Sequence, residues 1–263
     1  MTSDTSNEGF DHALIGVADL EDARDDYQRL GFTCCPRGRH IGWGTANYCI
    51  MFADDYLELL GIVDASQFTN NLDTFLTGPG EGLFGLSFAS ADIDALGAKL
   101  GREPSDLKRL LECPEGTVEP RFRLLHPPVG AMPGLSGFFC QHLTPELMRR
   151  PEWLAHANGA TGIASATIAV QDAAEAARAY GKIFGARAVQ PGQDSTDIVF
   201  NTGRMHIVQS GDTEGLVELA IRVADVAAAA DYLDQADVFF AEQDDGLLID
   251  PAEACGAFLR LVP

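Results

Sequence analysis

Along residues 10–17 the side chains alternate. Ala13, Ile15 and Val17 fall on one side, and His12, Leu14 and Gly16 on the other, the period of a half-buried strand. Asp19 then stands where a helix cap belongs, with Asp22 in the first turn beyond it. Leu20, Ala23, Tyr27 and Leu30 continue at helical spacing, and Gly31 closes the run. The same phrase of alternating strand, aspartate and amphipathic run returns at residues 83–92, 163–172 and 216–225. Four copies of one phrase predict a repeated architecture.

Each phrase opens a longer unit. In the first, residues 32–35 read as a second strand, residues 38–44 as a glycine-rich loop, and residues 45–52 and 56–62 as two strands around a turn. The order is β-α-β-β-β. The second unit has a helix through Ile93, Leu96 and Leu100 and a long irregular middle. Its last strands are expected at 119–126 and 137–143, flanking a Pro/Gly-rich loop. Residues 145–158 bridge to a third unit, with a helix through Ala177, Tyr180 and Ile183. The fourth carries Ala229, Tyr232 and Leu233 on its helix and short strands at 238–241, 246–249 and 257–262. One such unit cannot cover both faces of its sheet, whereas two can close around a shared cleft. The expectation is an α+β fold of four βαβββ modules paired into two half-barrels, 10–158 and 159–263, behind a disordered lead at 1–9.

Composition narrows the partners. The formal net charge of -21 argues against nucleic acid and anionic membranes, which need clustered Lys and Arg. No apolar run approaches the ~20 residues that span a bilayer, and the first nine residues lack the basic start and apolar middle of a signal peptide. The six cysteines form no C-x-x-C pair. Reduced thiols in the cytoplasm are the simplest reading.

Strand alternation also says which side chains meet in a cleft. If Ala13, Ile15 and Val17 face the helix, His12 faces inward. On the strand at 56–62, Tyr56, Glu58 and Leu60 face inward too. Seven residues before each capping aspartate, the positions matching His12 are Gly85, Ser165 and Glu218. Aligned by their last strands, the positions matching Glu58 are Gln141, His206 and Arg260. A carboxylate amid Leu57, Leu59 and Leu60 must be paired or metal-bound.

The βαβββ repeat, the phrases Tyr27-Gln28-Arg29-Leu30-Gly31-Phe32 and Tyr180-Gly181-Lys182-Ile183-Phe184-Gly185, and the placement of His12 and Glu58 resemble the vicinal oxygen chelate superfamily. That superfamily includes glyoxalase I, extradiol dioxygenases, methylmalonyl-CoA epimerase and bleomycin- or fosfomycin-resistance proteins. Residues 37–47, 56–60 and 156–159 are similar to a bacterial glyoxalase-like subgroup. The resemblance implies two vicinal-oxygen-chelate half-barrels and a divalent metal (Zn, Mn, Fe, Ni or Mg) in the first cleft. It implies His12, Glu58 and Gln141 as ligands, with the fourth corner empty at Gly85. His40, His142 or His156 could add a ligand. In the second barrel His206 and Glu218 could hold an ion, or Arg260 could neutralise Glu218.

Around that site, Arg37, Arg39, His40 and Trp43 form either an ordinary polar hairpin or a lid that grips an anion. Asn47 and Tyr56 are candidates to orient a substrate. Arg121 and Arg123 share one strand face, either a solvated edge or a carboxylate clamp. His40 or Glu58 would be the base. Two functions are compatible with these residues. One is a metal-dependent lyase, isomerase or hydrolase acting on a small oxygenated anion. The other is a protein that sequesters a small molecule without chemistry. A homodimer is compatible with both.

Overall fold

Asp19, Asp92, Asp172 and Asp225 each accept a backbone N–H from the first turn of the helix they precede. The structure is a computed structural model and describes residues 8–263. The first module is β1 (Phe10–Gly16), α1 (Leu20–Arg29), β2 (Gly38–His40), β3 (Thr45–Met51) and β4 (Tyr56–Ile62). A short helix, α2 (Leu72–Thr77), leads to the second. That module is β5 (Gly82–Ala89), α3 (Ile93–Leu100), β6 (Ser105–Cys113), β7 (Gly116–Val118), β8 (Arg121–Leu125) and β9 (Gly137–His142). The third is β10 (Ala160–Val170), α4 (Ala173–Phe184), β11 (Val189–Pro191), β12 (Thr196–Val199) and β13 (Arg204–Gln209). The fourth is β14 (Gly215–Val223), α5 (Val226–Gln235), β15 (Phe240–Gln243), β16 (Gly246–Ile249) and β17 (Leu259–Val262).

The described residues form two sheets on one plan. In each, the first strands of two modules lie antiparallel at the centre, β1 on β5 and β10 on β14. Each first strand also pairs in parallel with the last strand of its own module: β4, β9, β13 and β17. The nine-stranded sheet runs β2-β3-β4-β1-β5-β9-β8-β6-β7, and β2 pairs again with β6, so it closes into a barrel. The eight-stranded sheet runs from β11 to β15 with no closing pair among the described residues. This is the expected α+β architecture of four modules.

Three local expectations are corrected. Residues 32–35 are not a strand; the ladder forms instead at Gly38–His40, in the stretch expected as a loop. Gly38 is there for clearance, since a Cβ on it would collide with Asn47 Oδ1 and come 2.8 Å from Arg109 Cδ. The irregular middle of the second module is the β6–β7 hairpin, whose β6 closes the barrel. Of the expected lead, residues 1–7 lie outside the described residues, while Glu8 and Gly9 are held. Glu8 Oε1 accepts the Ala91 N–H at 3.1 Å, and Gly9 bridges to Thr202.

The outward faces of both sheets and the helix stripes merge into one core. Phe10, Phe88 and Phe139 of the first sheet meet Phe184 and Phe200 of the second half. The Phe88 and Phe184 rings lie 4.8 Å apart and those of Phe10 and Phe200 5.3 Å apart. Burying each ring contributes roughly 1.5–3 kcal/mol. The repeated helix tyrosines tie the halves reciprocally. Tyr27 donates to the Ala254 carbonyl at 3.2 Å, and Tyr180 to the Pro133 carbonyl at 2.8 Å. A second apolar cluster, including Leu14, Met51, Tyr56, Leu60, Phe122 and Phe138, fills the inside of the first barrel. The site lies against it.

Candidate functional site

On β1, Ala13 and Ile15 face the shared core while His12 and Leu14 face into the barrel. The parallel register sets His12 opposite Tyr56 and Leu14 opposite Glu58. His12 and Glu58 are both buried, and His12 Nε2 lies 3.3 Å from Glu58 Oε2. The Tyr56 ring stacks on the His12 imidazole, centroids 4.5 Å apart. Asn47 on β3 donates from Nδ2 to Glu58 Oε1. His40 on β2 brings Nε2 to 3.6 Å from that same oxygen, and its Nδ1 lies 2.8 Å from Thr45 Oγ1.

Asp11 enters the barrel against simple alternation. A bulge between Phe10 and His12 inserts it as an extra residue opposite β5 and turns its side chain inward. Its Oδ1 lies 2.5 Å from His12 Nδ1 and its Oδ2 3.1 Å from His142 Nε2. Among the described residues, Asp11, Cys140 and His142 also form a group whose ligand atoms could share an ion. Both Asp11 oxygens already face an imidazole, so the group is a hydrogen-bonded chain running Glu58, His12, Asp11, His142.

Charge follows from this geometry. Burial pushes the Glu58 carboxyl up, but the hydrogen bond and charge of His12 outweigh it, and the pKa falls to about 2. Burial pulls His12 down, but Asp11 and Glu58 on its two nitrogens raise it to about 9. Burial raises Asp11, yet His142 and His12 carry it well below the usual carboxylate range. His40 has no such compensation. Burial lowers it, the charge of Glu58 opposes this only in part, and Arg109 and His12 lower it further, to about 4. Without a metal the proton shared by His12 and Glu58 favours the imidazole, and a cation held by His12 would displace that proton, because a ligating imidazole must be neutral.

His12, His40 and Glu58 thus present donors to one cavity, and each is fixed from behind: His12 by Asp11, His40 by Thr45 and Glu58 by Asn47. Outer partners of this kind orient metal ligands and set their tautomers. Two imidazoles and a carboxylate suit zinc, iron, manganese or nickel. By donor type the set suits a divalent metal, while among the described residues only Asp11, Cys140 and His142 already bring ligand atoms within 4.8 Å of one another.

Residues 10–184 match the family described as glyoxalase-like domain. The chain belongs to this family. Among solved structures, a hypothetical protein from Staphylococcus aureus superposes with a TM-score of 0.70 at 15% identity, covering 97% of this chain and 98% of that one. A 4-hydroxymandelate synthase mutant from Streptomyces coelicolor gives 0.58 at 10% identity, covering 97% and 92%. A xylose isomerase-like TIM barrel/4-hydroxyphenylpyruvate dioxygenase fusion protein gives 0.57 at 13%, covering 97% and 49%. At such identities the likeness is one of fold, that of the vicinal oxygen chelate superfamily. No curated protein matches the chain in sequence.

Of the four equivalent positions that the two modules of this glyoxalase-like domain offer, only His12 and Glu58 carry donors. Gly85 cannot carry a side chain, because a Cβ there would collide with the Ser136 carbonyl oxygen. Gln141 is not the counterpart of Glu58. In module one Glu58 sits opposite the residue two beyond His12; in module two the residue two beyond Gly85 is Ser87, and it sits opposite Phe138. Gln141 faces outward and donates to the Ala91 carbonyl at 2.5 Å. Arg121 and Arg123 face outward as well. Arg123 pairs with Asp94 at 2.5 Å and Arg121 lies 3.8 Å from Glu119, while Phe122 and Leu124 between and beyond them line the cavity. Arg39 is exposed and Arg37 pairs with Glu21 at 3.2 Å, so of the expected basic lid only His40 turns inward. Trp43 lines the cavity, edge-on to Phe68. His156 is structural, accepting the Thr33 N–H at Nδ1 with Nε2 at the Met51 carbonyl.

Sequence reasoning missed Asp11 and Arg109. Nothing in the chain announces the bulge that turns Asp11. Arg109 did leave a signal: Leu107, Arg109, Leu111 and Cys113 alternate with Lys108, Leu110 and Glu112, placing an arginine on an apolar face. The β2–β6 ladder sets Arg109 opposite His40, and it lines the cavity fully buried.

Proposed function

We propose that this protein is a metal-dependent enzyme of the lyase or isomerase type, acting on a small oxygenated anion inside the first barrel. The observation that carries the reading is the set His12, His40 and Glu58, each oriented by an outer partner. These residues would hold the ion. A divalent metal there supplies Lewis-acid stabilisation of a developing oxyanion. The chain's own groups handle the proton. Glu58 turns one oxygen toward His12 and the other toward His40 and Asn47, so one oxygen can serve as ligand while the other accepts a proton. Asn47 and Tyr56 restrain Glu58 and His12, and the apolar wall of Phe122, Leu124 and Phe138 excludes water. The thiols are all free, which suits a reducing compartment such as the cytoplasm. No helix among the described residues is long and apolar enough to cross a membrane.

Titration of chelator-treated protein with Zn²⁺ or Mn²⁺ tests this. Binding at one site per chain is expected. His12→Ala, His40→Ala and Glu58→Gln should each weaken it by tenfold or more, and Cys140→Ala should leave it unchanged. Binding that survives Glu58→Gln but is lost with Cys140→Ala would move the ion to the Asp11 group and contradict the assignment.

A second reading rests on the corners at Gly85 and Phe138, which supply no donor, and on the apolar wall. In it the cleft sequesters a small molecule without turnover. It predicts protein that binds no divalent ion yet is stabilised by apolar ligands in a thermal-shift screen.

A further inference from the structure

Arg109 is fully buried, and among the described residues none of its nitrogens has an oxygen partner. Nη1 donates to Cys49 Sγ at 3.1 Å, Nη2 to Met148 Sδ at 2.7 Å, and Nε has no acceptor. The Phe122 ring lies 5.5 Å from the guanidinium carbon. Sulfur is a weak acceptor, and a buried cation is costly unless a carboxylate or comparable anion meets it. No carboxylate among the described residues forms an ion pair with Arg109; Glu58 acts on it only through space. The fold nevertheless makes room for this side chain, since any Cβ at Gly38 would strike it.

We infer that Arg109 anchors the carboxylate of the substrate, and that the substrate is a small acid with an aromatic or branched apolar body. The planar fork of a guanidinium matches a carboxylate two bonds at a time, which sulfur atoms cannot use. The cavity is small, about 40 Å³, so the body of the acid would have to part Phe122, Leu124, Phe138 and Leu107, which line it, to lie among them. This deepens the proposed function and rests on its placement of the reaction in this barrel, but Arg109 itself needs no metal to attract an anion.

The test compares acids with their uncharged amides. Phenylacetate, 3-phenylpropanoate and 4-methylpentanoate, each beside its amide, are titrated calorimetrically into wild-type protein before and after chelation, and into Arg109→Met. Methionine keeps the length and apolar stem and leaves no charge to bury. The acids should bind about tenfold to a hundredfold more tightly than the amides, as a charge-assisted hydrogen-bonded pair does. Arg109→Met should bring the acids down to the level of the amides while amide binding is unchanged. Equal affinity for acid and amide in the wild type, no acid binding at all, or an acid preference that survives Arg109→Met would overturn the inference. If the variant loses the amides too, its pocket has collapsed and the wild-type comparison decides. A preference that disappears on chelation assigns the carboxylate to the metal and overturns the inference while the proposed function stands. A preference that persists in protein unable to bind metal sustains Arg109 and removes the metal-dependent reading.

Discussion

The two halves repeat one chain path, yet their clefts differ in what surrounds the equivalent positions. In the first, His12 and Glu58 are buried in a closed barrel. In the second, Ser165 and Glu218 occupy the positions of His12 and Gly85, and His206 and Arg260 those of Glu58 and Phe138. There the sheet stays open, and the charges pair among themselves. Arg260 Nη2 lies 2.8 Å from Glu218 Oε2 and His206 Nδ1 2.8 Å from Asp197 Oδ1. The bulge is present in both, placing Asp11 in one half and Ala164 in the other. The backbone therefore offers the same positions twice. What separates the halves is the long β6, which closes the first barrel and carries Arg109 into it. Closure excludes water, and a charge inside then needs a partner of defined geometry.

The largest expected effect addresses what the halves share. Phe88 touches Phe10, Phe139, Phe184 and Phe200. Phe88→Ala should cost about 3–5 kcal/mol in denaturant unfolding and should lower one cooperative transition. Two separated transitions in the wild type would show that the halves do not share a core.

Next comes the contact between them at Asp55. Burial raises its pKa to about 7, although its Oδ1 accepts the Ile163 N–H at 3.0 Å. Between its unfolded value of 3.8 and about 7 the folded state holds the proton that the unfolded state has lost. Its contribution is complete below 3.8 and is lost as pH rises through about 7. Asp55→Asn keeps an acceptor for Ile163 and removes the titration. At pH 8 it should gain on the order of 2–4 kcal/mol over wild type, and the gain should vanish near pH 4. Equal stability of the two proteins at pH 8 would show that Asp55 is ionised in the fold at little cost.

The smallest effect belongs to the open cleft. Arg260→Met should change stability by about 1 kcal/mol or less, because Arg260 and Glu218 are partly solvated, and it should leave metal binding untouched. A loss of several kcal/mol would mean that the second cleft depends on its charges as the first does.

Much of the first cleft is legible in the chain. Period-two alternation places His12, Tyr56 and Glu58 on one face, and four aspartates mark four helices, because these features depend on residues close in sequence. Asp11 is hidden by a bulge that shifts the period by one residue. Arg109 shows in the chain only as an arginine on an apolar face; that this face enters the first cleft depends on a β2–β6 ladder joining residues some seventy positions apart. Gln141 is misplaced because matching β9 to β4 by sequence sets it three residues from the register the ladder adopts. Gly38 reads as loop flexibility, whereas its lack of a side chain is what admits Arg109 and Asn47.

The central claim is that the first cleft holds a divalent ion and the second does not. Elemental analysis of protein purified without chelators, beside Glu58→Gln and His206→Ala, tests it most directly. The account predicts about one ion per chain in the wild type, none in Glu58→Gln, and an unchanged content in His206→Ala. A metal-free wild type, or an ion lost with His206 and kept without Glu58, would contradict it.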